Sequence, residues 1–284
     1  MDGNTACWLM VNPSSGSNDD SSTEMVGAAL TSRGWTVDRV IAFPVDPLPT
    51  AAALDEADVA MLVIYTGDGS MNAAISRLEG WSGQVLVLPG GTMNLLPLRL
   101  HRSINIGAIL DVVAGGGARP LRPHCVRCDA GIALAGLLVG PGTAWSRVRE
   151  SMRKLDLADM AKDTLDAIRA TNDDPCVLFP GNRLARDEGY PLVELTPGEF
   201  GMQIDGYFAE DAADYAGQAW ALLRRRFREG PHDRLGIADS IVLTTADGGA
   251  LLCLLDGEPA ECPSGSRFVV VPCGVDVLAT AHDA

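Results

Sequence analysis

The chain has 284 residues, of which 47% are hydrophobic and 21% are charged, and its formal net charge is -15. That length and composition are typical of a globular protein with one large domain or two modest ones. A negative charge of this size disfavours nucleic-acid binding, which depends on neutralised phosphates, and it also disfavours loose adsorption on an anionic membrane.

The first 118 residues alternate short apolar runs with helical patterns. Predicted strands lie at 7–11, 35–42, 58–65 and 84–88, and helical patterns lie at 21–33, 71–80 and 92–100. The run DVAMLVIY at 58–65 is apolar almost throughout, as in strands that are buried on both faces of a parallel sheet. The alternation predicts an α/β domain with a doubly wound parallel sheet over residues 1–118.

The pattern changes after the glycine run AGGGARP at 114–120. Apolar strand-like runs separated by turn signals follow, and two helical regions, at about 144–170 and 208–229, interrupt them. This pattern predicts a second, mostly antiparallel β domain with helices over residues 119–284. The glycine run is the expected boundary.

Cysteine content and the apolar runs indicate a compartment. Seven cysteines, an odd number in a long chain, are typical of reduced thiols in the cytosol. Cys125 and Cys128 form a CxxC pattern without a second pair at zinc-ligand spacing, so we interpret them as buried or inert thiols. The run CWLMV at 7–11 is too short for a signal peptide, and the uncharged stretches contain Pro and Gly. We therefore expect a cytoplasmic protein without a transmembrane segment.

Three polar, glycine-containing loops follow predicted strands. They are VNPSSGS at 11–17, TGDGS at 66–70 and PGGTMN at 89–94. In a doubly wound sheet, ligands bind beyond the carboxyl ends of the strands, where helix N-termini and free backbone N–H groups suit phosphate. Gly67 and Gly69 allow the backbone to approach a ligand closely. Asp68 cannot bind phosphate directly, so we interpret it as a group that holds a divalent cation or accepts a proton.

The loops resemble signatures of the diacylglycerol kinase and sphingosine kinase superfamily. The segments NPSSG, TGDGSMNAA and LPGGTMNLL are similar to that family's NPxSG, GGDGTxNE and LPxGTxND motifs, and LLDGEPAE at 254–261 is similar to its DGE motif. All four occur in the family's order and spacing, so the resemblance covers nearly the whole chain. The combination distinguishes the chain from NAD kinases, which share a GGDG loop. No GxxxxGK[ST] or helix-opening GxGxxG motif is present.

The resemblance implies an N-terminal α/β nucleotide-binding domain and a C-terminal β-sandwich, with ATP in the cleft between them. It assigns the ATP site to seven positions, namely Asn12, Gly67, Asp68, Gly69, Ser70, Asn72 and Thr92. Glu258 matches the acid that acts as general base in bacterial members, whereas Asp68 matches the acid given that role in sphingosine kinases. Both assignments stay open, with one acid deprotonating the hydroxyl and the other holding Mg²⁺ and water.

Several positions depart from the family motifs. Ala73 and Leu95 stand where the family has an acid, and the family's metal-binding DGLLD segment has no clear counterpart. Asp205-Gly206 is the nearest candidate for that segment. The metal ligands therefore stay unassigned, with Asp68 as a candidate.

These observations predict an ATP-dependent lipid kinase of lipid metabolism, which moves the γ-phosphoryl group of ATP to the hydroxyl of a diacylglycerol-like lipid with the help of Mg²⁺. Two alternatives stay open: a kinase of the same fold that acts on a soluble or sphingoid alcohol, and a nucleotide-binding homologue without catalysis. The expected partner is a lipid at the membrane surface, which the protein would reach peripherally. The basic clusters at 147–154 and 224–228 are candidate membrane contacts, although we favour solvated helix faces as the interpretation of each. We expect no nucleic-acid partner, and a homodimer stays open.

Overall fold

The computed structural model describes most of the chain, namely residues 5–13, 20–144, 176–181, 184–208 and 232–281. They belong to two compact units, the first formed by Met1–His124 with Pro272–Ala284 and the second by Cys125–Val271. The basic clusters at 147–154 and 224–228 lie outside the described residues, as does almost all of the two predicted helical regions between residues 144 and 229.

The described helices are α1 (Asp20–Thr31), α2 (Ala51–Glu56), α3 (Asp68–Arg77), α4 (Leu95–His101) and α5 (Ile106–Ala114), with a 3-10 turn at Pro141–Ala144. The described strands are β1 (Thr5–Val11), β2 (Trp35–Ala42), β3 (Met61–Thr66), β4 (Gln84–Pro89), β5 (Arg119–Leu121), β6 (His124–Cys128), β7 (Gly131–Ala133), β8 (Leu137–Val139), β9 (Val177–Leu178), β10 (Leu192–Gly198), β11 (Gly201–Tyr207), β12 (His232–Ala238), β13 (Ser240–Val242), β14 (Thr244–Thr245), β15 (Leu251–Leu255), β16 (Glu258–Cys262), β17 (Arg267–Pro272) and β18 (Asp276–Ala279). Within the described ranges, no helix has both the length and the apolar character that crossing a bilayer requires.

The first unit contains a six-stranded sheet with the order β2-β1-β3-β4-β18-β5. Neighbouring strands run parallel, except that β18 and β5 pair antiparallel at one edge. The chain passes from β1 to β2 on one side and then to β3 on the other side, so the strand order reverses between β1 and β3. This is the mostly parallel α/β sheet that the sequence predicted.

Helices cover both faces of this sheet. Leu9 in β1 packs with Leu30 of α1 and Leu110 of α5 in one core cluster. Met10 points to the opposite face, because successive side chains of a strand alternate, and it is also fully buried. Helices α3 and α4 contact β3 and β4, and buried residues such as Met71 of α3 cover that second face. The sheet is therefore doubly wound, as predicted.

The last strand of the chain completes the sheet of the first unit. β18 lies between β4 and β5 and supplies the hydrogen-bonding partner of each. Arg122 Nε lies 2.8 Å from Asp276 Oδ1, and the Cys273 N–H donates to Pro123 O at 2.8 Å. We predicted one boundary at residue 118, whereas the first unit extends to His124 and includes the closing segment, because β5 needs β18 as its partner.

The second unit is an antiparallel β-sandwich. A six-stranded sheet has the order β12-β11-β10-β8-β15-β16, and a four-stranded sheet has the order β13-β17-β6-β7. One core lies between the two sheets, where Leu137 of β8 and Leu195 of β10 pack with Val126 of β6 and Phe268 of β17. This arrangement confirms the prediction of a C-terminal antiparallel domain.

All seven cysteines are free thiols, as predicted. Cys125 and Cys128 both lie in β6, three residues apart, so their side chains leave opposite faces of the strand. The Cys125 thiol donates to Val271 O at 3.3 Å. Cys128 instead enters the sandwich core, where burial raises the pKa of its thiol to about 12. The CxxC pattern is therefore a feature of strand packing.

Candidate functional site

The loops at the ends of β1, β3 and β4 lie at one edge of the sheet in the first unit. These three strands are adjacent and parallel, so their carboxyl ends meet at that edge. The reversal of strand order between β1 and β3 marks this edge as the usual position for a ligand in a doubly wound sheet. Of the first loop, Asn12 and Pro13 are described, and residues 14–19 lie outside the description.

The first two loops are joined by a hydrogen bond between two predicted site residues. Asn12 Nδ2 donates to Ser70 Oγ at a distance of 2.8 Å. Asn12 follows β1 directly, and Ser70 lies in the first turn of α3. Since the Ser70 oxygen accepts this bond, its hydroxyl proton is still available for an acceptor such as a phosphate oxygen.

The second and third loops approach each other at two glycines. A Cβ atom on Gly91 would lie 2.6 Å from Gly67 Cα, closer than Cβ atoms come to other heavy atoms in folded proteins. The third loop also closes on itself, because Gly91 N–H donates to Asn94 Oδ1 at 2.8 Å while Asn94 adopts a φ of 53°. Glycine at position 91 is thus required by the contact between the loops.

Asp68 connects the second loop to helix α4. Its Oδ1 atom accepts hydrogen bonds from the backbone N–H groups of Leu95 at 2.8 Å and Leu96 at 3.3 Å. These amides belong to the first turn of α4, whose preceding residue Asn94 makes no side-chain cap bond. Asp68 therefore caps a helix that follows it by almost 30 residues. This role was not predicted, because the sequence places Asn94, itself a favoured N-cap residue, directly before Leu95.

The N-terminus of α3 differs from that of α4. Gly67 precedes the helix in an extended conformation and offers no side-chain cap, and the first intrahelical bond runs from Met71 N to Gly67 O. The amides of Asp68, Gly69 and Ser70 therefore lack partners within the helix. Backbone N–H groups at such a helix end favour an anion. The end of α3 is better suited to phosphate than the end of α4, which Asp68 occupies.

The remaining predicted site residues of the first unit lie near this edge with different surroundings. Asn72 lies in α3, where its Oδ1 accepts a hydrogen bond of 3.1 Å from Ser76 Oγ. Thr92 is exposed in the third loop. Direct contacts therefore join Asn12 to Ser70 and join Asp68 and Gly67 to the third loop and α4. Thr92 is placed near them only by its position in the third loop.

The described residues do not form a metal centre of their own. Among them, no group of three or more His, Cys, Asp or Glu side chains could hold a metal ion. Asp205, the nearest candidate for the family's metal loop, lies in the middle of β11, where its carboxylate is buried and Arg234 Nε lies 3.1 Å away.

His101 is a buried core residue at the end of α4. Its Nε2 lies 2.9 Å from Val87 O and its Nδ1 lies 3.0 Å from Thr280 Oγ1. Burial disfavours the charged imidazolium and lowers the pKa of His101 to about 4. Since a carbonyl oxygen only accepts, Nε2 carries the proton of the neutral ring. His101 thereby joins α4 and β4 to the residue after β18.

Glu258 lies in the second unit, at the start of β16. Leu255 pairs with Glu258 across the β15–β16 hairpin, so the loop consists of Asp256 and Gly257. Both loop residues have positive φ, 49° and 95°, as in the type I′ turn that Asp-Gly favours. The Asp and Gly of the DGE motif are thus explained by the turn. The Glu258 side chain is exposed to solvent.

Comparisons with known proteins agree with this architecture. Residues 6–125 match the family model described as the diacylglycerol kinase catalytic domain. A structure described as a diacylglycerol kinase from Bacillus anthracis str. Sterne aligns with a TM-score of 0.59 at 11% identity over 100% of both chains. Two structures from the same organism, provisionally described as diacylglycerol kinases, align with TM-scores of 0.60 and 0.59 at 14% and 13% identity, covering 100% of this chain and 98% and 100% of theirs. No curated protein sequence matches.

The family match contains the whole edge described above. The span 6–125 includes the carboxyl ends of β1, β3 and β4 and the starts of α3 and α4. The low identities of the solved structures mean that they establish the fold alone. Together, the comparisons agree with the resemblance that the motifs predicted, and residues 6–125 are similar to the diacylglycerol kinase catalytic domain.

Proposed function

We propose that this protein is an ATP-dependent kinase that phosphorylates the hydroxyl group of a diacylglycerol-like lipid. The observation that carries the proposal is the N-terminus of α3, where Gly67 offers no side-chain cap and which lies at the β1–β3 reversal within the span that matches the catalytic-domain family. Anion-binding backbone at this place in a doubly wound sheet supports a nucleotide site.

The residues of the first unit suit the phosphates of ATP. The amides of Asp68, Gly69 and Ser70 at the start of α3 would bind phosphate oxygens. The Ser70 hydroxyl, oriented by Asn12 Nδ2 at 2.8 Å, would donate one further hydrogen bond. Thr92 and Asn72 are assigned to the same site by their motif positions.

Mg²⁺ would arrive with the nucleotide, and Asp68 is the carboxylate in these loops that could bind it directly or through water. When bound, the ion neutralises charge on the transferred phosphoryl group. Asp68 Oδ1 is already bonded to the amides of Leu95 and Leu96. We therefore propose that Asp68 caps α4 and binds the metal, and that Glu258 is the general base.

In this mechanism, Glu258 accepts the proton of the lipid hydroxyl while the hydroxyl oxygen attacks the γ-phosphorus of ATP. The bond between the γ-phosphorus and the oxygen that bridges it to the β-phosphorus breaks. Products are the phosphorylated lipid and ADP. Phosphoryl transfer depends mainly on positioning and charge neutralisation, so one base, a metal and backbone donors suffice. Glu258 is exposed and carries no role in the turn, which suits a group that meets a substrate.

The deciding experiment measures ATP turnover with a panel that includes diacylglycerol, a sphingoid base and soluble alcohols. We expect lipid-dependent turnover that falls about 10²–10⁴-fold in Glu258→Gln, a range typical of losing a general base, while ATP affinity is retained. Glu261→Gln is the matched control, because Glu261 is also an exposed glutamate of β16. Full activity of Glu258→Gln would refute its assignment as base.

A nucleotide-binding homologue without catalysis is the second candidate. It is favoured by the lack of a three-ligand metal group among the described residues. ATP with Mg²⁺ would then raise the melting temperature by mass action on the folded state, but no alcohol in the panel would be phosphorylated. Turnover with a soluble alcohol and none with lipid would instead favour a kinase of different substrate class.

A further inference from the structure

The Asp256-Gly257 turn does not by itself require a carboxylate. Both residues have positive φ, a conformation that Asn-Gly adopts at least as readily as Asp-Gly. A carboxylate at a hairpin tip is normally solvated, since burying a charge without partners is costly. Asp256 is nevertheless buried, with 7% of its surface exposed. Its side chain must therefore serve something other than the turn.

The carboxylate of Asp256 binds the turn between β7 and β8. Its Oδ2 accepts from Leu134 N–H at 2.7 Å, and its Oδ1 accepts from Ala135 N–H at 2.8 Å and Gly136 N–H at 3.0 Å. The Asp256 N–H in turn donates to Gly136 O at 3.0 Å. Three consecutive amides that converge on one anion form a strong, charge-assisted contact. An asparagine has one acceptor oxygen, and its NH₂ group would face the Leu134 amide.

The bonded turn joins the two sheets of the sandwich. It connects β7, in the four-stranded sheet, to β8, in the middle of the six-stranded sheet. Asp256 therefore attaches the tip of the β15–β16 hairpin to a rigid part of the core. Glu258 lies two residues further on and is held in register with Leu255. The direction in which its exposed carboxylate leaves the hairpin depends on how firmly that tip is held.

We propose that Asp256 is a positioning residue that fixes the orientation of Glu258 by locking the hairpin tip onto the Leu134–Gly136 turn. The inference rests on the proposed function, in which Glu258 is the general base. A misplacement of about 1 Å at a reacting group can cost about 100-fold in rate. Loss of the lock would therefore lower kcat while ATP binding, assigned to the first unit, stays unchanged.

The test is a double-mutant cycle between Asp256→Asn and Glu258→Gln. Asn suits the positive φ of position 256, so the hairpin is retained while one acceptor is lost. We expect Asp256→Asn to lower kcat about 10- to 100-fold with an unchanged KM for ATP. In the Glu258→Gln background the same change should have almost no further effect, because it acts through the missing base.

The matched control is Glu194→Gln. Glu194 is a carboxylate of the same unit with 4% of its surface exposed, and it accepts a hydrogen bond of 2.8 Å from Tyr207 in the neighbouring strand. A variant that lowers kcat only by destabilising the fold should lower it by the same factor in the wild-type and Glu258→Gln backgrounds. An equal loss from Asp256→Asn in both backgrounds would overturn the proposal. If Asp256→Asn fails to fold, Asp256→Gly, which also fits the turn, replaces it.

A measurement that needs no turnover separates this inference from the proposed function. A spin label on Glu258→Cys, in a Cys176→Ser background, reports the mobility of the hairpin tip. We expect a restricted label with Asp256 and a clearly more mobile one with Asp256→Asn. Equal mobility would overturn the lock even in an active kinase. Conversely, a label that is restricted with Asp256 and mobile with Asp256→Asn, together with full activity of Glu258→Gln, would remove Glu258 as base and leave the lock as a purely structural contact.

Discussion

Asp68 Oδ1 accepts a hydrogen bond of 2.8 Å from the backbone N–H of Leu95. A carboxylate at the start of α3 therefore caps α4, the helix that follows β4. The family motifs present Asp68 as a chemical group, and the structure gives it a structural role as well. The two roles can be separated, because a hydrogen-bond acceptor suffices for the cap whereas a metal requires negative charge.

Asp68→Asn and Asp68→Ala should therefore differ in stability and agree in activity. The asparagine keeps an acceptor for α4, whereas alanine removes it and should lower the free energy of unfolding by about 1 kcal/mol. Both should lower turnover and weaken the Mg²⁺ dependence of nucleotide binding. Chemical denaturation and Mg²⁺ titrations of nucleotide affinity would measure these effects. Wild-type Mg²⁺ dependence in Asp68→Asn would show that the charge is not used.

Gly91→Ala tests the contact between the second and third loops. Its Cβ would meet Gly67 Cα at 2.6 Å, and backbone atoms cannot give way as a flexible side chain can. We expect a loss of about 1–3 kcal/mol in the free energy of unfolding, typical of overpacking, and a smaller melting-temperature shift with ATP. Gly27→Ala in α1 is the control, since nothing lies within 4 Å of its Cβ. The free energy of unfolding of Gly27→Ala should rise by about 0.5–1 kcal/mol. Equal changes in stability for Gly91→Ala and Gly27→Ala would contradict the contact between the loops.

His101 should make stability depend on pH. Its folded pKa is about 4 against an ordinary value of 6.5, so between these values the unfolded chain binds a proton that the folded chain does not. The contribution of the neutral His101 ring to the free energy of unfolding is fully present above pH 6.5. It falls by about 3 kcal/mol as the pH is lowered towards 4. Denaturation from pH 7 to 4 should show a shallower decline in His101→Gln than in wild type. The matched histidine-to-glutamine control is His124→Gln, which leaves the ring of His101 in place.

The thiols should differ in reactivity. Six of the seven cysteines are buried, and Cys176 is the partly exposed one. Burial raises the pKa of Cys7 to about 11 and also raises the pKa of Cys176, so even the accessible thiol reacts slowly at neutral pH. A thiol-specific reagent should modify one cysteine in the native protein, none in Cys176→Ser, and all seven after denaturation. Fast modification of a second native thiol would contradict the packing.

The sequence predicted the order of elements in the first unit well, because its apolar runs are bounded by clear turn residues. β2 occupies the predicted span 35–42, just after Gly34, whose φ of 91° ends the preceding turn. β3 begins at Met61 instead of residue 58, since Asp58 adopts a φ of 51° and bonds back to Asp55 O. Local sequence signals were sufficient where neighbouring turn residues set the boundary of an element.

Boundaries that depend on distant partners were predicted less well. We interpreted TGDGS as a loop before a helix at residue 71, whereas α3 begins at Asp68, within that segment. The fourth helix begins at Leu95, where the amides meet Asp68. The contact of Asp256 with Gly136 spans 120 positions, and no pattern of spacing reveals such a pair. The roles assigned to the predicted site residues stay predictions.

The position of β18 between β4 and β5 has a consequence for synthesis on the ribosome. N-terminal segments generally fold first as the chain emerges, but this sheet lacks an internal strand until residues 276–279 have left the exit tunnel. Until then β4 presents an unpaired, apolar edge, which is a site for pairing with other nascent chains. The whole second unit must therefore be synthesised before β18 can pair with β4 and β5 and complete the sheet of the first unit.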